Sequence, residues 1–105
     1  MIQHDSIIAT TWDRDVFRRF EEWLKSRSED EQSLVIRGGS WINSYKTFVV
    51  LPDGSKEGWE ESEKGNAFRK AVIHRLEADC YSDGSSPWSW VEVSFGECGT
   101  HINGW

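Results

Sequence analysis

Ser6-Ile7-Ile8-Ala9-Thr10-Thr11-Trp12, followed at once by Asp13-Arg14-Asp15-Val16-Phe17, carries the change of periodicity that decides the fold class. The first seven residues are rich in β-branched and aromatic side chains and predict a strand. Asp13 then offers a helix N-cap, and Asp15 adds a favourable negative charge in the first turn. Val16, Phe17, Phe20, Trp23 and Leu24 fall at i, i+1, i+4, i+7 and i+8, one apolar stripe of an amphipathic helix. Arg14, Arg18, Glu21, Glu22 and Lys25 take the other face, and the helix is expected to end near Arg27.

Working outward, residues 28–32 are polar and read as a loop. Ser33-Leu34-Val35-Ile36-Arg37 predicts a second strand, which Gly38 to Ser44 break and turn. Tyr45-Lys46-Thr47-Phe48-Val49-Val50-Leu51 predicts a third. Pro52-Asp53-Gly54-Ser55 is a turn signal, since Pro fixes φ and Gly accepts positive φ; Lys56-Glu57-Gly58-Trp59 can return as an extra hairpin strand. A second helix starts between Glu60 and Asn66, with Ala67, Phe68, Ala71, Val72 and Leu76 as its stripe and Cys80 and Tyr81 as an extension. Trp88-Ser89-Trp90-Val91-Glu92-Val93-Ser94-Phe95 predicts the last strand. The order is β-α-β-β-(β)-α-β. Two helices with one apolar stripe each need a common sheet, so the expected fold is α+β: a ferredoxin-like βαββαβ two-layer sandwich, an antiparallel sheet with both helices on one face. Residues 1–95 form one domain, and the glycine-rich tail 96–105 is irregular and free to fold back on the sheet.

Along the last strand, Val91, Val93 and Phe95 look core-facing, which places Trp88 and Trp90 on the far face. Two readings stay open: an apolar contact surface, or a patch covered by the tail with Ile102 and Trp105.

The chain has 105 residues, enough for one domain. Its 12 Lys+Arg against 18 Asp+Glu leave a net charge of −6, which favours basic partners and disfavours nucleic acid and anionic membranes. No apolar run approaches a membrane span. Met1-Ile2-Gln3-His4-Asp5 lacks a signal-peptide pattern, so a cytoplasmic location is expected, the host cytoplasm if the chain is phage-encoded. In that compartment Cys80 and Cys98 are expected as free thiols. Seven Trp are more than so small a core readily encloses, so some are expected at a surface.

No chemistry-bearing motif stands out. Cys98 and His101, with His74 and Cys80 upstream, do not make the paired spacing that zinc requires, so no metal and no cofactor is expected. No serine sits in a G-x-S-x-G elbow. Gly38-Gly39-Ser40 lacks a following P-loop lysine and reads as a turn. The carboxylates of Glu29, Asp30 and Glu31, and of Glu57, Glu60, Glu61 and Glu63, read as solvated runs rather than an acid–base pair. The RNA-recognition aromatic motif is absent. Lys64, Arg69, Lys70 and Arg75 form one basic cluster on the second helix.

Three segments, Ile7 to Asp15, Val50 to Trp59 and Tyr81 to Val93, together resemble a group of small bacteriophage and prophage proteins with no assigned activity, over Ile7 to Phe95. The resemblance implies an accessory protein that binds a host or defence protein, or sequesters a small signalling molecule. It carries over no catalytic residue. The reading that follows is a non-catalytic binder that occludes a protein with a basic patch through an acidic, Trp-rich surface. The residues expected to bind are Trp88, Trp90, Trp105, Glu92, Asp83 and Arg37. Two alternatives are a small-molecule or nucleotide-binding module and an immunity protein against a basic nuclease toxin. A homodimer is also open, through an edge strand or the apolar sheet face.

Overall fold

The computed structural model describes residues 3–38, 41–52, 60–96 and 99–104. In chain order they form β1 (Gln3–Thr11), α1 (Arg14–Lys25), α2 (Glu29–Ser33), β2 (Val35–Arg37), β3 (Lys46–Val50), α3 (Glu60–Ala78), β4 (Trp88–Gly96) and β5 (His101–Gly104). The strands make one antiparallel sheet in the order β2-β3-β1-β4-β5. The chain is thus α+β, with an antiparallel sheet under helices. The expected hairpin strand at Lys56–Trp59 lies outside the described residues.

β1 is the central strand. Its alternate residues Ile7, Ala9 and Thr11 are buried, because strand side chains point to opposite faces in turn. Val16, Phe17, Phe20 and Leu24 of α1 and Phe68, Val72 and Leu76 of α3 join the same core as Ile7, Ala9, Phe48 and Val50. Both long helices therefore cover one face of the sheet. Phe20 stacks on Phe48 at 4.1 Å, and Trp23 stacks on Phe68 at 6.3 Å, tying α1 to the sheet and to α3.

α1 begins where Asp13 marks it: the carboxylate accepts from the backbone N–H of Asp15 and Val16. Its other oxygen accepts from the Tyr81 hydroxyl at 2.8 Å. That hydrogen bond, opposed by burial and helped by the two cap N–H groups, holds the Asp13 carboxyl below its usual range. Partial burial and the same hydrogen bond push the Tyr81 phenol up to about 12. Tyr81 thus favours folding fully below its ordinary value of about 10, and the contribution is lost as pH rises towards 12. Asp13 acts in the opposite direction, losing its contribution as pH falls below the usual carboxylate range. A Tyr45→Phe variant leaves Tyr81 as the single phenol. Its tyrosinate absorbance should titrate near 12, and a midpoint near 10 would refute the hydrogen bond to Asp13.

The structure departs from the sequence reading in four places. Residues 29–33, expected as loop up to Gln32 with Ser33 opening the second strand, are the helix α2. Ser28 and Glu31 form a reciprocal capping box that satisfies its first turn. Cys80 and Tyr81 follow α3 rather than extend it. The tail is not irregular throughout: His101–Gly104 pairs antiparallel with β4, beside the sheet rather than across it. Gly96 and Gly99 permit this reversal through positive φ of 141° and 88°.

The fourth correction is the facing of β4. Thr11 pairs with Trp88 and Ala9 with Trp90, so the tryptophans share the helix-covered face. Trp88 is 1% exposed and meets Phe20 and Phe48 edge-on at 5.7 and 5.5 Å. Its indole N–H donates to Asp79 Oδ2 at 3.0 Å. Arg75 and Arg19 approach Asp79 Oδ1 at 3.6 and 3.9 Å. A large ring fills the space between α1, α3 and the sheet, and a buried carboxylate takes its one polar atom. Val91, Val93 and Phe95 consequently point the other way.

Candidate functional site

In an antiparallel pair, residues directly opposite each other share a face. Ile8 lies opposite Val49 on one side and Val91 on the other, and Val49 lies opposite Ile36. One row of four aliphatic side chains therefore crosses β2, β3, β1 and β4 on the side away from α1 and α3. A second row runs Ser6, Val93, Ile102. A third pairs His4 with Phe95, whose rings are 5.4 Å apart. Ile36 is 53% exposed, Ile8 44%, Phe95 38% and Ile102 71%, so this band is open to solvent.

Most of the hydroxyl side chains on this face are already engaged. Thr47 donates to Thr10 Oγ1, Thr10 to the Lys46 carbonyl and Ser6 to the Val50 carbonyl. Among the described strand residues facing this way there is no Asp, Glu, Lys or Arg, although 30 of the chain's side chains are charged. Covering the face strips little water from unsatisfied polar groups and none from a charge, the two costs that oppose burial. Among the described residues no cluster of three His, Cys, Asp or Glu side chains could hold a metal, and no helix is long and apolar enough to cross a membrane.

The six residues singled out from sequence do not form a surface together. Trp88 is corrected from binding anchor to core. Trp90 is half-buried on the same helix-covered face, and Glu92, opposite Ile7, shares it. Asp83 is exposed in the loop before β4, and its carboxylate accepts from the Ser85 N–H and hydroxyl, which lowers its pKa. Arg37 lies on β2, at the far edge of the sheet, 3.7 Å from Glu21. Trp105 lies outside the described residues. The basic cluster on α3 also divides: Arg69 is 4% exposed and 3.8 Å from Asp5, and Arg75 is turned to Asp79.

A cleft of about 730 Å³ lies between α2 and the first half of α3, lined by Ser28, Asp30, Glu31, Leu34, Lys64 and Phe68. Arg27 hydrogen-bonds Glu31 at 2.8 Å at its side. Burial works against ionisation of Glu31, but the Arg27 and Ser28 hydrogen bonds outweigh it and hold the carboxyl below its usual range. The cleft thus presents the carboxylates of Asp30 and Glu31, the latter paired with Arg27, together with Lys64.

The open face had a signal in the sequence. A strand with one wet face alternates, whereas a strand covered on both faces reads as a continuous apolar run. Ile7-Ile8-Ala9, Val35-Ile36, Phe48-Val49-Val50 and Trp90-Val91 are such runs, one on each of β1 to β4. No protein-family model, curated protein or solved structure matches the chain.

Proposed function

We propose that this chain is a non-catalytic protein-binding module whose working surface is the helix-free face of the sheet. The observation that carries this reading is the uncharged apolar band across all five strands, exposed at Ile8, Ile36, Phe95 and Ile102. An open sheet face spread over five strands disfavours a small molecule, whose sites are concave. Among the described strand residues this face carries no Lys or Arg, which disfavours nucleic acid, whose affinity rests on phosphate contacts. A protein surface of matching apolar character satisfies both conditions. The order β2-β3-β1-β4, with helices following β1 and β3, supports the ferredoxin-like reading of the fold, with β5 as an addition. The resemblance to phage proteins supports an accessory role of the kind that occludes a host or defence protein. The immunity-protein reading shares the binding chemistry but needs an acidic face, which this surface is not.

The cleft beside α2 favours the small-molecule alternative. Asp30 and Glu31 on its wall oppose a phosphate-bearing ligand, so it ranks second.

A photo-crosslinking phenylalanine analogue placed at position 8 should give protein adducts in cells. The same analogue at position 22, exposed on α1, should give few. Equal yields from the two positions, or none from position 8, would overturn the reading.

A further inference from the structure

We infer that the occupant of the open face is a second copy of this chain, packed sheet on sheet about a two-fold axis. This inference rests on the docking reading above and names its partner. Three observations carry it.

The first is charge. A foreign partner chosen by electrostatics needs charges to meet, and this face has none among the described strand residues. A neutral apolar surface is complementary to itself, as a two-fold contact requires. The net charge of −6 would be expected to keep two copies apart. Face-to-face packing avoids this. The charged residues of the strands, Asp5, Arg37, Lys46 and Glu92, face the helices, α1 and α3 carry further charges beyond them, each layer is about 10 Å thick, and the sheets would lie about 10 Å apart. The two helical layers are then about 30 Å apart, several times the Debye length of about 8 Å at physiological salt.

The second is area. At about 4.8 Å between strands and about 3.4 Å per residue, the paired strands present about 500 Å² in projection, before side-chain relief is added. Stable interfaces take about 600–1,000 Å² from each partner. In projection the face falls just short of that range, so the dimer should be weak and reversible rather than obligate.

The third is position. Ile8 on the central strand is flanked by Val49 and Val91, with Ile36 near one edge and Ile102 at the other. A two-fold axis near Ile8 sets each copy's apolar row across the other's, at the angle of about −30° that sheet twist imposes.

Sedimentation equilibrium from about 1 µM to about 1 mM tests this. The expected mass rises from the 12.2 kDa of one chain to about twice that value. Ile36→Lys and Ile102→Lys, at opposite ends of the band and already more than half exposed, should each weaken the dimer at least about ten-fold, the effect of one desolvated charge. Both should keep the wild-type circular dichroism. Glu22→Lys on α1 should leave the dimer unchanged. A wild-type mass fixed at one chain throughout overturns the second-copy inference. So does a dimer indifferent to Ile36→Lys and Ile102→Lys. If the single-chain mass is accompanied by adducts to another protein from position 8, the docking reading stands and only its occupant changes. If position 8 gives no adducts either, both fall.

Discussion

Trp88→Ala should lose about 3–5 kcal/mol, the range for truncating a fully buried aromatic ring. Trp88 is 1% exposed and contacts Phe17, Phe20 and Phe48, so the space it vacates is walled by rigid rings that cannot collapse into it. A loss of that size is comparable with the whole stability of many small domains. It should lower the melting temperature by roughly 15–25 °C or leave the chain unfolded at 37 °C. Trp88→Phe keeps most of the volume and should cost less than half as much. Urea and thermal melts of the two variants check this. A loss under about 1 kcal/mol for Trp88→Ala would place the ring outside the core and reverse the facing of β4.

Asp79→Ala should be the second most damaging change, at about 2–4 kcal/mol. Asp79 is 7% exposed and is the acceptor for the buried indole N–H of Trp88. Removing it leaves that donor unpaired and takes the carboxylate from Arg75, whose side chain is 23% exposed. Arg19, at 50% exposure, can turn to water and should contribute little. Asp79→Asn keeps an oxygen for the indole and should cost clearly less than the alanine change. A double-mutant cycle of Asp79→Ala with Trp88→Phe should show coupling of about 1 kcal/mol or more, because Phe has no N–H to orphan. Additivity within about 0.3 kcal/mol would mean that the 3.0 Å contact does not hold the two together.

Local signals explain which parts of the fold were legible. Asp13 and the stripe from Val16 to Leu24 fix α1, because cap chemistry and helical spacing are both short-range properties. β3 and the body of α3 were legible for the same reason, while the start of α3 was bracketed only between Glu60 and Asn66. The S-x-x-E pattern of Ser28 and Glu31 was equally local and could have revealed α2. The facing of β4 was of another kind. Residues 88–95 carry apolar side chains in both alternating sets, Trp88 and Trp90 in one and Val91, Val93 and Phe95 in the other. Periodicity cannot choose between two apolar faces. The choice is made by pairing with β1 and by Asp79, nine residues upstream of Trp88. β5 was hidden because His-Ile-Asn-Gly has weak strand propensity and pairs only through the turn at Gly96 and Gly99. The candidate site was missed for the same reason as the facing of β4: with the tryptophans assigned outward, the true open face was counted as core.

The place of β1 in the sheet has a consequence for synthesis. The first strand made is the middle one, and Gln3 pairs with Gly96, almost the full length of the chain away. One side of β1 can pair once β3 has emerged, but the other must wait for β4. At about 5–20 residues per second, the nascent chain spends roughly 5–20 s with Ile7, Ile8 and Ala9 incompletely paired. Completion of the sheet therefore waits for β4, and its slow step is the long-range closure between β1 and β4. Slowing the ribosome prolongs this exposure. It should increase the demand for chaperones that hold unfinished chains, where a protein built from local hairpins would benefit from the delay.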